Sequence, residues 1–401
     1  MTVATTSLPP GSFTSEEYAR RYERVREGMR DEGLDALLAY STPKVRGAVR
    51  YLSGYSLRFT GAFSRPDGSY GQSGATAVLF PLEGEPHLVT DLPWDAQRAK
   101  STSAVDEVSF AADFAALLGP AIASAGFERV GIDNWLILPA YHYKTLSETA
   151  PGVEFVPSRV VADACRVKSE AELELIRGAE LMAMRASEAG LAAAAVGGTD
   201  VDVGRACIEA ANRLGDLEPN GGHVICVGAA TQFGTDLPTA AAPQPIERGD
   251  FVLIDMNTSY AGYAGDIARM CVAGTVADLD PRLRKLYDVT LEMNERVLER
   301  IKPGVKPVDL VEFARSIATA AGLGERMSGL LGHSLGLDIH EAPDFFYDAV
   351  PLEENVVIAI EPSLSLPGLG GTRIEDIVRV TADGCEVLTA DCPKALRGTE
   401  D

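Results

Sequence analysis

Apolar residues along the chain recur with two periods, and the switches between them mark out its elements. Tyr18, Tyr22, Val25 and Met29 return at helical spacing behind Thr14-x-x-Glu17, a capping-box pattern, and Gly33 closes the run. Residues 34–40 follow as an unbroken apolar stretch and read as a buried strand; further strands are expected at 75–80, 86–90, 129–133 and 154–156. Helical patterns at 110–125 and 139–149 lie between them, so the first part alternates strand and helix as an α/β domain does. Residues 60–74 are rich in Gly and Ser and read as a loop.

The pattern changes near residues 159–166, which predicts a domain boundary dividing the chain into 1–162 and 163–401. Ser169-x-x-Glu172 is a second capping box, opening a long helix that Gly197-Gly198 stops. Further helices are predicted at 203–214, at 281–301, with Pro281 in its first turn, and at 307–321. Two strand pairs interrupt them: 251–256 with 263–272, and 356–363 with 372–381. Helices alternating with hairpins predict an α+β domain, with helices on one face of a mainly antiparallel sheet.

A chain of 401 residues exceeds what one hydrophobic core usually supports, which agrees with two domains. Its 36 basic and 58 acidic side chains give 36 − 58 = −22, a balance that argues against nucleic acid and anionic lipid as partners. Residues 189–196 form the nearest approach to a membrane span, but they are short and Ala-rich. The opening MTVATTSLPPGSF has no basic region followed by an apolar run, so a cytoplasmic location is expected. Cys165, Cys207, Cys226, Cys271, Cys385 and Cys392 form no CxxC pair and read as buried free thiols.

The chemistry lies in acids placed where apolar residues belong. Asp255 ends the run FVLID and Asp266 sits in GYAGDIARMCV; a turn between the two strands brings both carboxylates to one point. Glu361 follows the apolar strand of VVIAIEPSL, and Glu375 is embedded in GTRIEDIVRV. A carboxylate in an apolar strand is costly unless it is paired or bound to a metal. A partner such as Arg269 or Arg373 accounts for one such acid but not for four. Between the hairpins, LLGHSLGLDIHEAP supplies His333 and His340. Carboxylates with imidazole suit Mn, Fe, Co or Zn, and four acids with one imidazole exceed a single tetrahedral site. Two adjacent divalent ions are the natural reading.

In that order, Asp255, Asp266, His333, Glu361 and Glu375 resemble the ligand set of the creatinase/methionine aminopeptidase superfamily, the pita-bread metallopeptidases, and most closely its Xaa-Pro aminopeptidase and prolidase branch. The strings GDFVLID, GYAGDIAR, GHSLGLDIHEAP, EPSL and GTRIEDIV carry the resemblance, together with the Lys168-Ser169-x-x-Glu172 junction. It implies a smaller creatinase-like N-terminal α/β domain before a pita-bread catalytic domain. Two ions are implied, manganese foremost and cobalt, iron or zinc otherwise. Asp255 would hold one ion, Asp266 and Glu375 would bridge the pair, and His333 and Glu361 would complete the second site. Glu361 is implied as general base toward the bridging water, which supplies the metal-bridging hydroxide, while His340 would engage substrate and Arg373 would orient the acid cluster or the substrate. The implied substrate is a short proline-containing peptide or another small molecule. The same resemblance implies a homodimer, with a loop near residues 57–70, including Arg58, Phe59, Phe63 and Arg65, as a lid.

Three departures limit the peptidase reading. The pattern GxNxxxxHxxP, which carries a catalytic His in peptidase members, is here GAATQFGTDLP, with Thr235 or Asp236 nearby. His223 stands about twelve residues too early and fills that place only if an insertion shifts it. Gly329 replaces a His four residues before His333, and Ala268 replaces a Thr. These losses resemble branches that have left peptide hydrolysis, such as creatinase, ectoine hydrolase and lyases on a sulfonium propionate. A non-peptidase enzyme is therefore the alternative. A metal-free binding scaffold is disfavoured by the intact ligand set.

Overall fold

Capping and turn chemistry set the element boundaries. The structure, a computed structural model, describes residues 13–57, 59, 61–64, 70–214, 223–344 and 349–401. The first twelve residues, where no secretory pattern was read, and Arg58 and Arg65 of the proposed lid lie outside them. The Thr14 hydroxyl accepts a hydrogen bond from the Glu17 amide at 3.3 Å and starts α1 (Ser15–Glu32); Gly33, in the left-handed region, ends it. The chain separates into two units, Met1–Cys165 and Arg166–Asp401.

The first unit is built on a mixed six-stranded sheet. Its strands are β1 (Ala36–Ser41), β4 (Thr76–Pro81), β5 (His87–Thr90), β6 (Glu107–Phe110), β7 (Arg129–Asp133) and β8 (Glu154–Pro157), in the order β6-β5-β4-β1-β7-β8. Strand β1 runs antiparallel to β4 and parallel to β7. The helices are α2 (Gly47–Ser53), α3 (Ala96–Thr102), α4 (Phe114–Ser124), α5 (Ala140–Thr149) and α6 (Val160–Arg166). Leu38, Tyr40, Val89, Phe114, Leu118 and Ile132 form part of its core. Two details differ from the sequence reading. Helix α4 begins later than residue 110, because Asp113 caps it by accepting from the Ala115 and Ala116 amides, and that frees Glu107–Phe110 to join the sheet edge. Residues 60–74 contain a two-stranded ribbon, β2 (Gly61–Ser64) with β3 (Tyr70–Ser73), rather than loop alone.

The second unit opens with α7 (Glu170–Ala193), whose Ser169–Glu172 capping box is complete, followed by α8 (Asp200–Asn212). An antiparallel sheet, β9 (His223–Val227), β10 (Phe251–Tyr260) and β11 (Tyr263–Val272), comes next. After α9 (Pro281–Leu298) and α10 (Pro307–Ala320) come β12 (His333–Ser334), β13 (Glu341–Asp344) and β14 (Val357–Ile360). The remaining strands are β15 (Ser363–Leu366), β16 (Gly370–Arg373), β17 (Asp376–Val380) and β18 (Cys385–Val387). Ile254, Met256 and Ile267 pack in the core shared with α7 and α8; Leu253 and Met270, on the other face of the same sheet, pack with Leu286 and Met293 of α9.

Strand β11 matches the expected 263–272, whereas β10 runs beyond the expected 251–256 to Tyr260. Buried Thr258 keeps its place in the strand by donating to the Ala179 carbonyl of α7 at 2.9 Å. The turn is just Ala261 and Gly262, both with positive φ, which matches the twist of a two-residue hairpin. The second hairpin is split in two. Strand β14 pairs with β17, while β15 pairs with β16 in a separate ribbon. The break falls at Glu361-Pro362 on one side and at Ile374-Glu375 on the other. Pro362 has no N–H to continue a ladder. Among the described residues no helix is long and apolar enough to cross a membrane. All six cysteines are free, and only Cys385 is more than slightly exposed.

Candidate metal centre

The pleat of β10 and β11 places the first two acids. Asn257 pairs with Asp266 and Asp255 with Ala268, so Asp255, Asn257, Asp266 and Ala268 share one sheet face. The other two acids occupy the breaks of the second hairpin, where their backbones turn toward neighbouring segments. The Glu361 amide donates to the Leu331 carbonyl at 2.7 Å, and the Glu375 amide donates to the Ala268 carbonyl at 3.1 Å. These two bonds tie the His333 segment and β11 to the second pair of acids. Gly332 permits the approach, since a Cβ there would stand 1.9 Å from the Ala359 carbonyl oxygen.

His333 Nε2 lies 3.4 Å from Glu361 Oε1, 3.8 Å from Asp266 Oδ2 and 3.9 Å from Glu375 Oε1. One ligand atom from each of Asp266, His333 and Glu375 falls within 4.8 Å of the others. Asp255, Asp266, His333, Glu361 and Glu375 are all buried. Arg373 pairs with Asp255 and lies 3.6 Å from Glu361, and its Nε donates to Ser363 Oγ at 3.2 Å. The His340 ring is exposed and meets His333 edge-on, with centroids 4.2 Å apart.

Burial pushes the Asp266 and Glu375 carboxyls well above their ordinary range, and the neighbouring carboxylates push them further. Burial also lifts Glu361 to about 7, with Arg373 opposing the rise. It drives His333 down to about 4, leaving a neutral imidazole whose lone pair faces the acids. Burial works against the Arg373 charge, but the Asp255, Glu361 and Glu375 carboxylates outweigh it and hold the guanidinium above its usual value.

The decisive detail concerns Glu375, which is 1% exposed and has no hydrogen-bond partner at either carboxylate oxygen. Two orphaned acceptors beside three further carboxylates form a donor set suited to cations. If ionised, four acids facing one guanidinium carry a net −4 + 1 = −3, which two divalent ions offset. The donor set therefore fits such ions. Because the carboxyls must shed protons to bind them, metal uptake at pH 7 is expected to release roughly one to three protons per chain, and apparent affinity is expected to rise with pH. Calorimetric titration in two buffers of different ionisation enthalpy measures this; uptake without proton release contradicts it.

His223 is not brought to this centre. It pairs with Met256, one position out of phase with Asp255, so its side chain lies on the opposite sheet face. The Gly228–Gln232 turn and the residues after it run beside the site, but Thr235 and Asp236 are exposed and supply no imidazole. A Cβ on Gly234 would sit 3.0 Å from the Arg373 guanidinium, so this segment closes over Arg373. A cavity of about 200 Å³ opens there, lined by Thr231, Phe233, Met327, Ser363 and Arg373 among others, with Phe233 64% exposed. It is smaller than the roughly 300–1,000 Å³ of whole-ligand pockets and suits one end of a substrate. Two further residues belong to the site. Asn257 donates to Asp266 Oδ1 at 2.6 Å, and Glu180 of α7, fully buried, accepts from the Asp266 amide at 3.3 Å. Asn257 is legible as the residue two beyond Asp255; Glu180 has only the weak signal of an acid on an apolar helix face.

The model of metallopeptidase family M24 matches residues 174–382, and that of the creatinase/prolidase N-terminal domain matches residues 21–168. The chain belongs to metallopeptidase family M24. As an M24 member it is a metal-dependent hydrolase with a creatinase-type N-terminal domain and a pita-bread catalytic domain. The Xaa-Pro dipeptidase of Pyrococcus horikoshii is 29% identical over 372 residues, covering 92% of this chain and 96% of the relative. The crystal structure of the prolidase from Pyrococcus horikoshii OT3 superposes with a TM-score of 0.77 at 27% identity, covering 92% of this chain and 98% of that one. An X-Pro aminopeptidase from Thermotoga maritima gives a TM-score of 0.80 at 25% identity, covering 94% and 99%. The M24 family implies divalent metal ions, in accord with the orphaned Glu375 oxygens.

Proposed function

We propose that this M24 hydrolase cleaves short Xaa-Pro peptides at a dinuclear metal centre held by Asp255, Asp266, His333, Glu361 and Glu375. The approach of the buried Asp266, Glu361 and Glu375 carboxylates to within 4 Å of one neutral imidazole carries the reading, and the Xaa-Pro relatives supply the substrate class. When bound, the two ions lower the pKa of water toward neutrality and polarise the scissile carbonyl. Asp266, Glu375, Asp255 and His333 would hold these ions, with the first two shared between them. Glu361 takes a proton from the attacking water and returns it to the leaving proline nitrogen. His340 donates to the carbonyl oxygen as charge develops there, and Arg373 holds Asp255 in place. Manganese is the proposed ion, because oxygen donors outnumber nitrogen four to one. A cytoplasmic homodimer completes the proposal, the free cysteines favouring a reducing compartment.

Protein loaded with Mn(II) and offered a panel of dipeptides is expected to prefer Xaa-Pro over Xaa-Ala by roughly 100-fold in kcat/KM. A panel left intact overturns the peptidase reading. Gly329 and the absent imidazole near Thr235 favour a second one, hydrolysis of a C–N bond in a small non-peptide molecule. Turnover of cyclic amides or guanidino compounds with the dipeptide panel untouched is its signature.

A further inference from the structure

Lys168 lies just ahead of α7 and is buried, though it holds no place among the metal ligands. Its amide donates to the Asn355 carbonyl at 3.0 Å, and its neighbour Val167 bridges to Val356. The Lys168 ammonium reaches Glu341 Oε2 at 2.7 Å, with side chains 1% and 9% exposed. The other oxygen of Glu341 accepts from the Leu337 amide at 2.6 Å and the Asp338 amide at 3.1 Å. The turn between His333 and His340 is thus wrapped around one carboxylate. Gly336 allows it: a Cβ there would stand 2.6 Å from Glu341 Oε2 and 2.8 Å from Lys168 Nζ. The Gly336 carbonyl in turn accepts from the Ala264 amide of β11 at 2.7 Å.

Glu341 directly follows His340 and pairs with Ser334, which directly follows His333. The carboxylate that holds the turn therefore also fixes where the exposed His340 ring begins. We infer that Lys168 and Glu341 are positioning residues, whose buried ion pair sets the pose of His340 over the metal centre. A buried ion pair adds little stability that an apolar pair could not replace. An apolar pair, however, removes the carboxylate that accepts from the Leu337 and Asp338 amides. The inference rests on the role proposed above for His340.

A double-mutant cycle on the metal-loaded full chain tests it, using Lys168→Met, His340→Ala and the two combined against an Xaa-Pro dipeptide. Lys168→Met is expected to lower kcat roughly 10- to 100-fold with KM little changed, in the range seen for residues that orient catalytic groups. In the His340→Ala background the same change is expected to cost less than about threefold, because its effect passes through His340. Lys168→Arg restores part of the rate. Should Lys168→Met fail to fold, Glu341→Gln, which retains an acceptor oxygen for the two amides, replaces it in the cycle. On metal-free protein, the His340 ring resonances shift in Lys168→Met and stay fixed in the exposed control Lys302→Met. Equal losses in both backgrounds, or unmoved resonances, overturn the inference. If His340→Ala alone leaves kcat intact, the proposed role of His340 fails, and the resonances still decide whether Lys168 positions the ring.

Discussion

Asp266→Asn is expected to lower kcat by about a thousandfold or more, some 4 kcal/mol, and to leave the protein folded. Asp266 is the acid that faces His333, Glu361 and Glu375 together, so in the proposed centre losing its charge would remove a ligand shared by both ions. Asn retains an oxygen to accept from Asn257, whose amide stands 2.6 Å from Asp266 Oδ1. In metal-free protein the wild-type carboxylate suffers from burial and from Asp255 and Glu361 nearby. The variant should therefore unfold at a temperature equal to or above that of metal-free wild type, while gaining far less from added Mn(II). Thermal melts with and without the ion measure both arms. A variant that melts well below metal-free wild type would show that Asp266 serves the fold instead.

The second large effect concerns stability. Arg269 is 2% exposed and joins both halves of the catalytic unit. Its guanidinium donates to the Glu375 carbonyl, to the Ala268 carbonyl at 3.0 Å, to the Cys392 carbonyl at 2.8 and 3.0 Å, and to Asp376 Oδ1 at 2.8 Å. Burial pushes the Asp376 carboxyl up, yet Arg269 and Lys394 outweigh it and hold it below the usual range. Arg269→Met strips one of those two cations from a buried carboxylate and takes the guanidinium donor from the Glu375 and Cys392 carbonyls, while the Ala268 carbonyl keeps the Glu375 amide. The expected cost is about 3–5 kcal/mol, read as a lower urea midpoint. Adding Asp376→Leu should recover part of it, because the uncompensated charge then goes. A loss below about 1 kcal/mol would contradict this account.

Much of the site was legible because its determinants are local. The alternation of β10 and β11 dictates that Asp255 and Asp266 share a face, and the apolar neighbours of Glu361 and Glu375 mark them as buried. The capping box at Ser169 likewise depends on residues three apart. What escaped depends on distant partners. That the second hairpin divides at its two acids follows from amide bonds to Leu331 and Ala268, which no local pattern encodes. Glu180 and the Lys168–Glu341 pair are defined by contacts 86 and 173 residues apart. His223 shows the converse: its residue type suited the chemistry, and the register with Met256 turned it away.

Five side chains are proposed to hold two cations. Crystals grown with Mn(II) and measured at a wavelength where manganese scatters anomalously test it directly. Two peaks roughly 3.5–4 Å apart are predicted, with Asp266 and Glu375 between them, Asp255 on one and His333 with Glu361 on the other. A difference map without manganese peaks among these residues, with Glu375 instead bonded to protein or solvent alone, would contradict it.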